Sequence, residues 1–232
     1  MLRRIRFLRP TLCLALVAML CVRVAAQRGG EPPSLTQSLQ TFDALLKRVP
    51  NASIDMNFAE FRARLAVSRL QELAVNWPAQ SPADYRGNVD REVQLLQRAL
   101  AANDNARLTT LLEALADDLE IKLEHCKASG GKLGGSVAVS VRTVQGDQES
   151  RNWEVFYLPK VLDAAGTMAA DRFPALSSPT QETLVPGRYV MWVRESGGSR
   201  TGERVVVKVG EGRKDLQVDL PVPAAGGTGT PR

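Results

Sequence analysis

Apolar residues recur at two different periods along this chain, and the change falls near Gly130. Before it they are spaced by three and four residues, which puts them on one face of a helix. After it they alternate, which puts them on one face of a strand. Ser34-Leu-Thr-Gln37 is a capping box, in which serine hydroxyl and glutamine amide each satisfy an orphan backbone donor. It opens a first helix with Leu35, Leu39, Phe42, Leu46 and Val49 on one face, ending at Pro50. Asn57-Phe-Ala-Glu60 is expected to cap a second, with Phe58, Phe61, Leu65, Leu70, Leu73 and Trp77 as its stripe. Ser81-Pro82-Ala-Asp84 begins a third, with proline at the first helical position, where its missing N–H costs nothing. Its stripe is Val89, Val93, Leu96 and Leu100. The fourth follows Asn103-Asp104 and carries Leu108, Leu111, Leu112, Leu115, Leu119 and Leu123. Gly130-Gly131 ends it with residues that tolerate a left-handed cap.

A helix with one apolar stripe and one charged face is not stable alone in water. Short connections favour antiparallel neighbours, so residues 34–129 are expected to form a four-helix bundle or two helical hairpins. The alternative is that the stripes pack against another copy or a partner helix, giving a homodimer through this half.

In the second half Val137, Val139 and Val141 alternate with Ala138, Ser140 and Arg142. The same alternation marks Trp153, Val155 and Tyr157, then Tyr189, Met191 and Val193, then Val205, Val207 and Val209, then Leu216, Val218 and Leu220. Turn signals separate these runs at Gly146-Asp147, Gly197-Gly198 and Gly210-Glu-Gly212. Short alternating runs of this kind predict antiparallel sheets buried on one side, here an antiparallel Greek-key sandwich of about seven strands over residues 136–222. The 159–186 segment reads as a crossover between sheets, with one or two short strands near 168–173. The fold class is therefore α+β with two domains, a helical bundle and a β-sandwich, joined by a glycine-rich linker at 130–135.

Leu184-Val-Pro-Gly-Arg-Tyr-Val-Met-Trp-Val193, the glycine-bearing hairpin after it, and Leu216-Gln-Val-Asp-Leu-Pro221 resemble the closing strands of carboxypeptidase-regulatory-like domains, which share a transthyretin-like, or carbohydrate-binding-like, sandwich. The resemblance covers about 85 residues at the C-terminal end and implies a non-catalytic accessory module. It says nothing about residues 34–129. The leading strands depart from the family pattern, because the 159–186 segment replaces a tighter connection. In physical terms, Pro186-Gly187 turns the chain and Tyr189 enters the core with its hydroxyl within reach of the turn's backbone.

The N-terminal end changes the charge argument. Arg3, Arg4, Arg6 and Arg9 precede an apolar run at 11–22, too short to span a bilayer that needs roughly 20 residues. Val24-Ala25-Ala26 then places small residues where a signal peptidase would cut, between Ala26 and Gln27. Lipidation at Cys21 is the competing reading, but Met19 and Leu20 stand where a lipobox has small residues. The chain has 30 Lys+Arg against 25 Asp+Glu, and the excess of five, Arg23 included, lies within this segment. The remainder is neutral, so the basic pI marks export and not a nucleic-acid partner. Localisation is expected to be periplasmic or secreted, with no membrane span after cleavage. Residues 27–33 form a linker, and the Ala-, Gly-, Thr- and Pro-rich tail at 223–232 is expected to be disordered.

Candidate chemistry is sparse. Cys13 and Cys21 lie in the signal, leaving Cys126 as the single cysteine of the processed chain. The one histidine, His125, adjoins it, but neighbouring helical side chains diverge by about 100° and chelate poorly. Asp117, Asp118, Glu120 and Glu124 are expected to form the solvated face of the fourth helix. No nucleophile-elbow, zincin, Cys-x-x-Cys, EF-hand or phosphate-loop spacing occurs, so no catalytic, cofactor-binding or metal residue is assigned. What remains is aromatic. If Tyr189 and Met191 point inward, Trp192 points outward, and its neighbour on the next strand is either Trp153 with Tyr157 or else Phe156. Trp192, Trp153 and Tyr157 are the candidate contacts for a protein or glycan partner. The expected function is binding or assembly outside the cytoplasm, without catalysis. A carbohydrate-binding module is the alternative, and a hydrolase accessory role ranks behind it.

Overall fold

The computed structural model describes residues 34–75, 77, 83–132, 135–167, 169–176 and 178–224. The expected signal with its Ala26–Gln27 cleavage point, the expected 27–33 linker, Ser81-Pro82, Met168 and most of the tail lie outside the described residues.

Four long helices come first: α1 (Leu35–Leu46), α2 (Ile54–Ala74), α3 (Ala83–Ala102) and α4 (Asn105–Ala128). The α1 capping box forms as its sequence dictates, with Ser34 Oγ accepting the Gln37 N–H at 3.3 Å and Gln37 Oε1 accepting the Ser34 N–H at 2.9 Å. Asp104 caps α4 by accepting the Arg107 N–H at 3.1 Å. Gly130 and Gly131 close α4 at φ of +73° and +75°. The α2 cap lies four residues before the expected one. Ser53 Oγ accepts the Met56 N–H at 3.1 Å, so Asn57 and Glu60 fall inside the helix. Hydroxyls are strong caps because a short side chain can reach back to the N3 donor. In cross-section α1 touches α2 and α3, and α4 touches the same two, which makes α1 and α4 the diagonal pair of a four-helix arrangement.

The strands follow: β1 (Val137–Gln145), β2 (Gln148–Glu149), β3 (Trp153–Pro159), then a short helix α5 (Lys160–Ala164), β4 (Asp171–Arg172), β5 (Thr180–Leu184), β6 (Gly187–Glu195), β7 (Val205–Val209) and β8 (Asp215–Pro221). One sheet has β1 between β5 and β2 on one side and β8 on the other. The second runs β4-β3-β6-β7. Most pairs are antiparallel, but β8 runs parallel to β1 from Ala138–Asp215 to Val144–Pro221. Parallel pairing needs a crossover, and the chain supplies one by leaving β7 in the second sheet and returning to the first. The 159–186 segment holds α5, β4 and also β5, which returns to the first sheet beside β1, where the sequence suggested one or two short strands near 168–173.

Two cores result. One lies among the helices, built on Phe42, Leu46, Leu70, Leu96, Leu112, Leu115 and Leu119, and it reaches Val161 of α5. The other lies between the sheets, with Val137, Val139 and Val141 facing Val155, Met191, Val193 and Val209. Tyr189 enters this second core and donates its hydroxyl to the Val185 carbonyl at 2.8 Å, closing the Pro186-Gly187 turn.

Candidate functional surfaces

The outward aromatics of the second sheet are the first candidate. The β3–β6 register pairs Phe156 with Trp192, and their rings stack at 5.8 Å with 15° between planes. The outward neighbour of Trp192 is therefore Phe156. Trp153 and Tyr157 point the other way, into the sandwich core. Trp153 is 6% exposed and donates its indole N–H to Ser150 Oγ at 3.1 Å, while Tyr157 meets Phe173 and Tyr189 edge-on at 5.3 and 6.0 Å. Register decides this, because alternation puts residues 153, 155 and 157 on one face and 154, 156 and 158 on the other. The two expected contacts are thus core residues, and Phe156 takes their place beside Trp192.

That outer face is already occupied by cations. The Arg194 guanidinium sits 4.6 Å over the Phe156 ring and that of Arg204 sits 4.9 Å over Trp192. Each is held in turn by a carboxylate. Glu154 accepts Arg194 at 2.7 Å and Arg172 at 2.6 Å, and Asp163 accepts Arg204 at 3.0 Å and Lys160 at 2.9 Å. Hydrogen bonds from Arg194 hold the Glu154 carboxyl below its usual range. At the other end of the same face Leu158 and Val190 pair directly and are buried, where α4 and α5 pack against the sheet.

The seam between helices and sheet carries the buried charge. Lys122 of α4 is wholly buried and reaches Glu92 of α3 at 2.7 Å and Asp118 one turn back. Asp118 Oδ1 also accepts the Arg188 N–H at 3.0 Å, next to Gly187, where any Cβ would collide with that carboxylate. Asp117 pairs with Arg188 at 2.8 Å, Glu124 with Lys208 at 3.0 Å, and His125 Nδ1 accepts the Gly212 N–H at 3.2 Å. The expectation that the α4 acids form a solvated face is corrected here: Asp118 is 4% exposed, and Asp117 and Glu124 bind the sandwich. Burial pulls Lys122 below the usual lysine range against the opposing pull of Glu92, and pulls His125 below its ordinary value. These groups are engaged with one another and with backbone donors, except that Glu92 Oε2 is buried without a hydrogen-bond partner. Among the described residues, no group of three or more His, Cys, Asp or Glu side chains is placed to hold a metal ion. A cleft between α3, α4 and the end of α5 holds about 190 Å³. That is below the roughly 300 Å³ at which small-molecule sites begin.

The third surface is one the sequence reading merged into a single stripe. On α2, Phe58, Phe61 and Leu65 face solvent at 62%, 60% and 50% exposure, beside Ile54 at 86%. The inward face is instead Met56, Ala59, Ala63, Ala66, Val67 and Leu70. Its three alanines let α2 approach α4 closely, which is why this face and not the aromatic one was chosen. Only Leu70, Leu73 and Trp77 of the expected stripe pack on the helical core. The signal was present in the spacing. Leu65 to Leu70 is a five-residue step, which no single helix face allows, so two stripes share this helix. The Arg62 guanidinium lies 5.9 Å from the Phe58 ring, and it is drawn aside by Asp117 at 2.7 Å and by Glu120.

Compared with protein-family models and with curated proteins, the chain matches none.

Proposed function

We propose that this chain is an exported, non-enzymatic binding or assembly protein whose docking surface is the outward face of α2. The observation that carries the reading is the inversion of that helix, which buries alanines and presents Ile54, Phe58, Phe61 and Leu65 to water. Full exposure of such a side chain forgoes about 1.5–3 kcal/mol relative to burial, and half exposure about half of that, so a contiguous stripe of four calls for a partner. Export is supported by the arginine-led apolar run and the Val24-Ala25-Ala26 cleavage signature. A role without catalysis is supported by the buried titratable groups, of which Lys122 and Glu92 tie α4 to α3 while Asp118 and His125 accept sandwich backbone N–H groups. Purified residues 27–232, assayed against a panel of peptide and glycan substrates, should turn none over. Hydrolysis abolished by one carboxylate substitution would overturn the reading.

A second reading, a carbohydrate-binding module, is favoured by the outward stacked pair Phe156–Trp192. With Arg194 and Arg204 over those rings, an acidic glycan fits better than a neutral one. Titration with acidic and neutral polysaccharide fragments should then shift tryptophan fluorescence in the wild type and not in Trp192→Ala. Silence in both proteins removes this reading.

A further inference from the structure

Resting on the docking role of α2, we infer that the occupant of its outward face is the same face of α2 in a second copy, packed antiparallel about a two-fold axis between Phe58 and Phe61. The stripe is a palindrome in spacing. Ile54, Phe58, Phe61 and Leu65 are separated by four, three and four residues, so the pattern reads the same in either direction. Antiparallel pairing brings Phe58 against Phe61 of the other copy twice and Ile54 against Leu65 twice, four layers with no apolar residue left over. This is the three-and-four spacing of a coiled-coil seam, in which a and d positions of antiparallel helices alternate across the interface. The stripe also stops at both ends together. Ser53 precedes it as the helix cap, and exposed Ser68 and Glu72 continue the same face beyond Leu65.

The helix dipole favours this orientation. The arginines beyond the stripe's centre are already paired, Arg64 with Glu60 at 3.2 Å, Arg69 with Glu72 at 2.8 Å and Arg62 with Asp117 and Glu120 of α4, so they do not set the orientation. An antiparallel partner opposes the two helix dipoles, whereas a parallel one aligns them. Area is adequate as well. Taking about 200 Å² for each fully exposed large side chain, the stripe presents on the order of 500 Å² per copy. Two copies would therefore remove roughly 1,000 Å² before any flanking contact, the threshold a biological interface should clear, and flanking contacts bring it toward the about 1,200 Å² of stable ones. A two-fold axis is the commonest way for one patch to satisfy itself.

Both cores lie within residues 35–222, so residues 27–232 carry everything needed to fold. Light scattering on that chain should give twice its monomer mass, unchanged by reductant. Phe58→Glu with Phe61→Glu should raise the concentration for half-dimerisation by more than about thirtyfold, while the circular dichroism of the helices is retained. Orientation is read by mild oxidation. Ile54→Cys with Leu65→Cys, in one chain or as a mixture of the two single variants, should crosslink to dimer. Ile54→Cys alone should not, its two copies lying about 16 Å apart along the helices. Efficient crosslinking of Ile54→Cys by itself overturns the antiparallel pairing. A wild-type monomer at every concentration overturns the second copy as occupant, and an apolar-surface dye then separates two failures. Dye bound by the wild-type monomer and lost in the double glutamate variant leaves α2 a docking face for another occupant, residues 1–33 included if the longer chain excludes the dye. No dye response sinks the docking role too.

Discussion

The helical half and the sandwich distribute charge and apolar surface in opposite ways. The sandwich is conventional: valines inside, and arginine–carboxylate pairs such as Arg142–Asp219 and Arg194–Glu154 outside. The helical half is partly inverted, with Lys122, Glu92, Asp118 and His125 inside and Ile54, Phe58, Phe61 and Leu65 outside. The inner charges meet the sandwich, through Arg188 and Gly212. The outer apolar residues stay half or more exposed, with the Arg62 guanidinium 5.9 Å from the Phe58 ring. The difference teaches how to weigh exposed aromatics. Phe156 and Trp192 are already stacked and capped by guanidinium groups at 4.6 and 4.9 Å, whereas the α2 stripe is half or more exposed and Arg62, at 5.9 Å from Phe58, is drawn aside by Asp117 and Glu120.

Breaking the inner charges gives the largest expected effect. Lys122→Ala leaves Glu92 and Asp118 buried without their cation and should cost about 3–5 kcal/mol of unfolding free energy in denaturant titration. Arg142→Ala, on the exposed sandwich pair, should leave the transition midpoint where it was, since exposed pairs are screened by solvent. Equal losses in the two variants would erase the contrast.

The two faces of α2 provide the next test. Ala63→Leu, on the inner face, overpacks the contact with α4 and should cost about 1–3 kcal/mol. Phe58→Glu changes far more chemistry but sits outside, so the melting temperature of the monomer should hold. A reversed ranking would mean that the faces are assigned wrongly.

Titration sharpens the same contrast at high pH. All three tyrosines lose solvent on folding. Burial raises Tyr85 well above its usual value, pushes Tyr157 up to about 12 and raises Tyr189 further. The unfolded chain therefore ionises first, and stability present below pH 10 falls as pH rises above it. Tyrosinate absorbance should appear in step with unfolding. Gradual ionisation of the folded protein near pH 10 would contradict the burial.

The smallest effect is acidic. His125 is held neutral by burial, with Nδ1 accepting from Gly212, so the unfolded chain takes up the proton first. Stability complete above pH 6.5 should decline as pH falls below it. His125→Asn should flatten that slope, and an unchanged slope would assign it to other groups.

Much of this was legible in local sequence. The Ser34–Gln37 and Asp104 caps, the α1, α3 and α4 stripes, the alternating strands and the Tyr189 turn each depend on residues a few positions apart, which sequence lists directly. Tertiary structure decided the rest, because it depends on which surfaces meet. The parallel β1–β8 pair depends on where a crossover lands. The inward turn of Trp153 and Tyr157 depends on strand register, and the burial of Asp118 on Gly187 arriving beside it. α2 shows the division within one element. Periodicity determined that it is an amphipathic helix with more apolar surface than one face can hold. Only packing against α4, where alanines permit the closer approach, decided that Phe58, Phe61 and Leu65 would be the side left in water.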